Sequence, residues 1–331
     1  MKLVLIIGIL IINIITLVLA GWVLINKKSN EYYNKKIILS SNANDLTEGM
    51  FGQGITWVFE VLESLEKKGY TPKDIQFDIN TKAYGKIIPG LLNPKDNVVG
   101  KEVIDMVKYK RDNSAESTNY YKLKSDVFFQ KYNKIFEKWF KIPDKISQKI
   151  PKFDTNNTLG LHYRGTDKNK DNKQSNPITI NEFIIIIKDF ISKHKNINTI
   201  FACSDEKGFV EKLLSIFPNI NILENKQERG SKNEINGFFR TSNNLTQEEK
   251  NNRNIDAMLD VLSLSKCGYV LKGSSAMSAF SKILNPSQKI FQVQAMKMPW
   301  YPAVGIPPYE TDSKQVNEIL SKTLKGDKYN G

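Results

Sequence analysis

The stretch Thr158-Leu159-Gly160-Leu161-His162-Tyr163-Arg164-Gly165-Thr166-Asp167-Lys168 opens on an apolar run and closes on a polar tail. The run predicts a buried strand, and the tail predicts the loop at its carboxyl end. In open α/β sheets, ligands bind outside the carboxyl ends of the strands. One strand end would therefore deliver a histidine, an arginine, an aspartate and a lysine to a place where an anion can sit. A strand-to-helix loop with ordinary surface charge has the same local look, so the decision needs a second motif.

Outward from that strand, the second half alternates regularly. Strands are predicted at Thr158–Tyr163, Thr199–Ala202, Ile220–Leu223, Tyr269–Leu271 and Ile290–Val293. Helices are predicted near Ile180–Lys193, Lys207–Phe217, Ile255–Ser265 and Ser275–Leu284. Such alternation implies a parallel, Rossmann-like sheet. The polar stretch Asn225–Arg253 predicts a long loop. The first half begins in the same way. Ile37-Ile38-Leu39 is a short strand, Gly49–Gly54 a glycine-rich turn, Ile55–Lys67 an amphipathic helix and Ile75–Ile79 another strand. A helix over about Asn119–Phe140 carries an aromatic stripe through Phe128, Phe129, Tyr132, Phe136 and Trp139, as a core-packing helix does. Pro143 and Pro151 punctuate a linker. The expected organisation is a membrane segment at 1–29, an α/β domain at 36–150, a second at 151–295 and a C-terminal tail at 296–331.

The second motif is Tyr269-Val-Leu-Lys-Gly-Ser-Ser-Ala-Met-Ser278, a strand, a glycine and a serine-rich helix start. Helix amino termini present N–H groups and partial positive charge, which suits a phosphate or pyrophosphate. Ser274 by itself would read as a simple helix cap. With Ser275 and Ser278 beside it, and Arg164 at another end of the same sheet, an anion site is the better account. Asp256 and Asp260 lie four apart on one helix face. One of them can accept two N–H bonds from a base such as guanine, or both can belong to a solvated acidic face. Asp205 and Glu206 close the strand Phe201-Ala-Cys-Ser and can reach a ribose or a base edge.

Bulk composition narrows the partners. The net charge is +13 over 331 residues, but the lysines are scattered, without a basic block or basic–aromatic interleaving. Nucleic acid is therefore not expected as a partner. Cys203 and Cys267 each adjoin an apolar run and predict buried free thiols rather than a disulfide. Two histidines and two cysteines give a structural zinc site no support. Leu3–Ile25 is apolar enough, and long enough, to span a bilayer as a helix. A membrane anchor is the favoured reading, and a cleaved signal peptide the alternative. Lys27, Lys28, Lys35 and Lys36 follow the span and favour a cytoplasmic catalytic part. The sequons Asn156-Asn157-Thr158 and Asn244-Leu245-Thr246 favour an endoplasmic reticulum or Golgi-type lumen. The expected localisation is a single-pass membrane protein facing such a lumen, with the cytoplasmic orientation open.

His162–Lys168, Phe201–Glu206 and Asp256–Ser278, in this order, resemble the GDP-fucose-dependent fucosyltransferases. The likeness is to nodulation-type and α-1,6-fucosyltransferases, with features shared by protein O-fucosyltransferases. Glu48–Gly54 (E-G-M-F-G-Q-G) resembles their acceptor-side loop. The resemblance spans about Leu39 to Val293. It implies two Rossmann-like domains facing a cleft, a GT-B-like arrangement. It implies inverting transfer of fucose from GDP-fucose to a glycan or glycoprotein, with no metal and no cofactor beyond the donor. No D-x-D pair of the metal-holding kind occurs. By resemblance, Arg164 contacts the diphosphate, and His162 meets guanine or ribose. Asp260 recognises guanine, and Ser274, Ser275 and Ser278 meet the phosphates. Asp205, Asp256, Gly165 and Lys168 complete the expected donor site. Asp167 is expected to orient Arg164 or to act as base, with Asp171 and Glu182 as further base candidates. The chain departs from the family at Gly165, where many eukaryotic members carry a second arginine. It departs again at Gly273, where a threonine or similar polar residue is frequent. Another nucleotide sugar, or a non-catalytic membrane-anchored nucleotide- or glycan-binding protein, is the alternative function.

Overall fold

The computed structural model describes residues 14–19, 36–41, 49–81, 84–113, 125–165, 175–206, 208–225, 246–295 and 306–325. Among the described residues it contains two larger sheets, each with parallel strands at its centre, and one two-stranded pairing. The first sheet is built from β1 (Ile37–Ser40), β2 (Ile75–Thr81), β3 (Gly85–Ile88) and, after a two-residue β4 (Asn93–Pro94), β5 (Glu102–Asp105). Its order is β3-β2-β1-β5. β1 runs parallel to both β2 and β5, and β3 is an antiparallel edge. Alternate residues of β2 are buried, because one of its faces is only partly covered.

The glycine-rich segment forms a wide π-helical turn, Met50–Ile55, that runs into α1 (Thr56–Lys67). Gly49 takes a positive φ of 71° there, which favours glycine. α2 (Met106–Asp112) and α3 (Ser125–Trp139) pack on α1. The aromatic stripe of α3 is buried, as its spacing implies, with Phe129, Tyr132 and Trp139 fully enclosed. Its expected first turn lies outside the described residues. A two-residue β6 (Phe140–Lys141) pairs with β4 and leads the chain toward the second sheet.

The second sheet comprises β7 (Thr158–Tyr163), β8 (Thr199–Ser204), β9 (Asn221–Leu223), β10 (Tyr269–Lys272) and β11 (Lys289–Gln292). All four pairings are parallel, in the order β11-β10-β7-β8-β9. Every residue of β7 and β8 is buried, as central strands covered on both faces should be. The chain moves outward from β7 through α4 (Ile180–Lys193) to β8, then through α5 (Phe209–Ile216) to β9. It returns along α6 (Gln247–Ser265) to β10 on the other side of β7, and α7 (Ala276–Leu284) leads to β11. The strand order therefore reverses between β7 and β10, which creates a crevice at their carboxyl ends.

The two faces of this sheet have different partners. Leu159, Leu161 and Tyr163 pack with Phe183, Ile187 and Phe190 of α4. Phe201, Cys203, Val270 and Ile290 face the other way, into an apolar core shared with α6, α7 and the first half. Phe280 of α7 lies 5.2 Å from Phe51 and 6.0 Å from Phe59, ring centre to ring centre. Asn133 of α3 donates to the Ile283 carbonyl at 3.0 Å.

Within the segment expected to be a tail, residues 306–325 are packed on the second core instead. Gln292 bridges to Pro308, and α8 (Lys314–Thr323) buries Val316, Ile319 and Leu320 against α4. These three positions make one helical stripe too short to stand out in the sequence. Both cysteines are free and buried, as expected. Most of the apolar span Leu3–Ile25 lies outside the described residues. Residues 14–19 are helical, with Ile14, Ile15, Leu17, Val18 and Leu19 exposed. Among the described residues no helix is long and apolar enough to cross a membrane.

Candidate active site

The crevice between β7 and β10 is closed at its base by register. His162 pairs with Lys272, and the Gly273 N–H donates to the His162 carbonyl at 2.8 Å. A Cβ on Gly273 would stand 3.0 Å from Gln294 Oε1 and 3.5 Å from the Arg164 nitrogen. A side chain there would need Gln294 to give by a few tenths of an ångström, and the two sequence motifs meet here.

On the β7 side, Tyr163 pairs with Ser204, so the next residues, Arg164 and Asp205, emerge side by side. They form an ion pair, Nε to Oδ2 at 3.1 Å, and Asp205 Oδ1 accepts the Gly165 N–H at 2.9 Å. One buried carboxylate thereby fixes both the arginine and the loop that follows it. Arg164 keeps 18% of its side chain exposed, against 3% for Asp205. Glu206 is also buried. A Cβ at position 165 would fall 1.9 Å from Glu206 Oε2 and 2.6 Å from Tyr163 Cε1. Glycine at 165 therefore follows from the carboxylate packed against it, and no side chain fits there while Glu206 holds its place.

On the β10 side, Ser275 is the cap of α7, its hydroxyl accepting the Met277 N–H at 3.2 Å. Ser274, the residue the sequence suggests for that cap, plays another part. Its N–H donates to Gln294 Oε1 at 3.0 Å, while its own hydroxyl is buried and meets no hydrogen-bond partner among the described residues. A buried hydroxyl in that state marks a place for a ligand or a water. Ser278 Oγ lies 2.9 Å from His162 Nδ1. Burial, helped by the charges of Arg164 and Lys272, holds the His162 pKa well below its usual value, so the imidazole is neutral.

Asp260 on α6 is buried and accepts from Asn225 Nδ2 at 2.8 Å, just beyond β9. Asp256, one turn earlier, is half-buried. Asp167, Lys168 and Asp171 lie outside the described residues. Glu182 is engaged elsewhere: it closes a capping box with Thr179 and takes Lys322 at 2.7 Å. Burial would raise its pKa, but the bonds from Lys322 and Thr179 outweigh it and lower the carboxyl below its ordinary value. That suits a structural ion pair better than a base. Lys272, Gln294 and Asn225 were not singled out by sequence reasoning. Only Lys272, flanking the serine motif, carried a signal, namely a charge at the end of an apolar strand. Among the described residues no group of three His, Cys, Asp or Glu side chains is placed to hold a metal ion.

No family model and no curated protein matches this sequence. Its structural neighbours are fucosyltransferases. The fucosyltransferase NodZ from Bradyrhizobium is 13% identical, with 76% of this chain and 94% of that one covered and a TM-score of 0.44. A NodZ α-1,6-fucosyltransferase crystal soaked with GDP-fucose gives the same coverage and a TM-score of 0.45. The apo form of POFUT1 is 8% identical over 78% of this chain and 97% of its own, with a TM-score of 0.44. A mutant of Arabidopsis thaliana FUT1 in complex with GDP is 10% identical over 81% and 74%, also with a TM-score of 0.44.

Proposed function

We propose that this chain is a glycosyltransferase that moves fucose from GDP-fucose to a hydroxyl of a glycan or glycoprotein, with inversion and without a metal. The observation that carries this reading is the crevice at the strand-order reversal. There the Arg164 backbone, its side chain held by Asp205, approaches Gly273 ahead of the serine-rich start of α7, where the Ser274 hydroxyl has no hydrogen-bond partner among the described residues. The ordered resemblance of the three motifs supplies the donor's identity. The two sheets, parallel at their centres, fit a GT-B-like pair of domains, with the acceptor on the 36–150 side. The segment at Leu3–Ile25 would anchor the protein to a membrane with its catalytic part in the lumen.

The chemistry follows from charge. As the fucose C1–O bond breaks, its electron pair stays on the departing diphosphate, and the sugar becomes oxocarbenium-like. The acceptor oxygen attacks C1 from the opposite face and loses its proton to a base. Arg164 offers two parallel donors to the diphosphate, and the α7 amino terminus adds fixed dipoles. Both are set before reaction, so they stabilise developing charge without reorganising. In this reading Asp260, which accepts from Asn225, reads the base, and neutral His162 offers a ring nitrogen to base or ribose.

The test is GDP release from GDP-fucose by the full-length protein in detergent, with and without a panel of glycan and glycopeptide acceptors. Acceptor-dependent release is expected. Removing one such donor group costs about 2.7–4 kcal/mol of barrier, so Arg164→Ala should lose about a hundredfold to a thousandfold in turnover. Near wild-type turnover in a folded Arg164→Ala would sink the assignment. Tight GDP binding without turnover would make the protein a binding module.

A further inference from the structure

Gln294, two residues past β11, is completely buried and joins segments that meet at the crevice. Its Oε1 accepts the Ser274 N–H at 3.0 Å, and its Nε2 donates to the Asn176 carbonyl. An N–H needs an acceptor and a carbonyl needs a donor, so these two partners allow the amide one orientation. The Oε1 lies 3.0 Å from the place that a Cβ on Gly273 would take, and the Arg164 nitrogen lies 3.5 Å from the same place. The amide thus stands at the base of the crevice, where the ends of β7 and β10 approach each other.

Gln294 is itself held from both sides. The hydroxyl of buried Thr323, at the end of α8, donates to the Val293 carbonyl at 2.6 Å. The Thr323 carbonyl accepts the Ala295 N–H at 2.9 Å. Asn176 closes the arrangement, its Nδ2 donating to the Thr323 carbonyl at 3.2 Å and to the Lys325 carbonyl at 2.8 Å. A buried polar network satisfied in this way is rigid.

The consequence falls on Ser274. Its N–H is occupied by Gln294, so what it can offer a ligand is its hydroxyl, which is buried and has no hydrogen-bond partner among the described residues. The bond to Gln294 also fixes the planar peptide between Gly273 and Ser274, and so the point from which the Ser274 side chain starts. We propose that Gln294 is a positioning residue for the diphosphate end of the donor site, acting through Ser274 by holding that hydroxyl where it meets a phosphate oxygen. This rests on the donor site proposed above. A group held in place before binding loses less freedom when its ligand arrives. α8 takes part at one remove, because Thr323 sets the backbone that carries Gln294.

The experiment is a double-mutant cycle on the full-length protein, with GDP and guanosine affinities read by calorimetry for wild type, Gln294→Met, Ser274→Ala and the double variant. Gln294→Met keeps the length of the side chain and removes both amide contacts. Each single variant is expected to weaken GDP about tenfold or more and to leave guanosine near wild type. The double variant is expected to lie within about twofold of the weaker single, because both changes remove the same contact. GDP losses that multiply would overturn the proposal, and so would wild-type GDP affinity in Gln294→Met; either result leaves the donor site standing. Equal losses of guanosine and GDP in Gln294→Met would assign Gln294 to the fold alone and overturn it too. A wild type that binds no GDP would overturn both this proposal and the donor site. Should Gln294→Met unfold, Gln294→Asn, which keeps the amide and shortens its reach, carries the same cycle. Unfolding of both variants would overturn the proposal.

Discussion

Asp205→Asn separates a positioning carboxylate from a ligand contact. The contacts of the side chain include Oδ2 to Arg164 Nε at 3.1 Å and Oδ1 to the Gly165 N–H at 2.9 Å. Asparagine has the same shape but one acceptor oxygen. Whichever way its amide turns, one contact survives and the NH2 group faces another donor. Breaking a buried pair by removing one partner costs about 3–5 kcal/mol. Arg164 is 18% exposed and can turn part of its charge to water, which brings the expected cost to about 2–3 kcal/mol. For a folding unit of 150–250 residues that is a fall of about 5–10 °C in Tm. The freed guanidinium should also lose its aim. GDP affinity should fall by about tenfold or more while guanosine affinity stays near wild type. Thermal unfolding and calorimetry on one preparation read both effects. A variant with wild-type Tm and wild-type GDP affinity would refute the assignment of Asp205 as the group that holds Arg164. Equal losses for guanosine and GDP would place Asp205 against the nucleoside instead.

Gly165→Ala should cost about 1–3 kcal/mol by overpacking, because its Cβ would collide with Glu206 Oε2 and Tyr163. Urea unfolding of Gly165→Ala in a Glu206→Ala background should recover part of that loss, and strict additivity would refute the contact. His162 supplies a pH test. Its folded pKa lies below the ordinary 6.5, so the unfolded chain takes up the proton first as pH falls. Its share of stability is complete above about pH 6.5 and is lost below it by about 1.4 kcal/mol per pH unit, until the folded ring protonates. As pH falls below 6.5 the wild type should lose stability more steeply than His162→Gln. Parallel stability curves for the two proteins would show that the imidazole is not held neutral by the fold.

Much of this protein is legible along the chain, because the information is local. β7 and α4 fall where apolar runs and helical spacing put them, at Thr158–Tyr163 and Ile180–Lys193. The same holds for the two motifs that build the crevice, since strand ends and helix starts are marked by their own residues. Boundaries shifted where local signals were weak. α6 begins at Gln247, inside the stretch expected to be loop, because Thr246 and Glu249 form a capping box ahead of its apolar residues. α8 was missed because its three buried residues gain meaning only against α4.

What the tertiary structure alone decided is which residues meet. Arg164 forms an ion pair with Asp205, forty-one residues on, while Asp167, expected to orient it or to act as base, lies outside the described residues. The reason is the parallel register of β7 and β8, which sets Tyr163 opposite Ser204 and carries the next residues out together. Glycine at 165 looked like a missing charge and is required by Glu206, which arrives from the same neighbouring strand. Lys272 comes to lie beside His162 only because β10 is placed next to β7, the position that the reversal of strand order assigns to it. Periodicity and capping are written in neighbours along the chain, so the sequence by itself determined the elements and the two motifs at their ends. Strand order and register are set by burying all those elements at once, and they determined the partners.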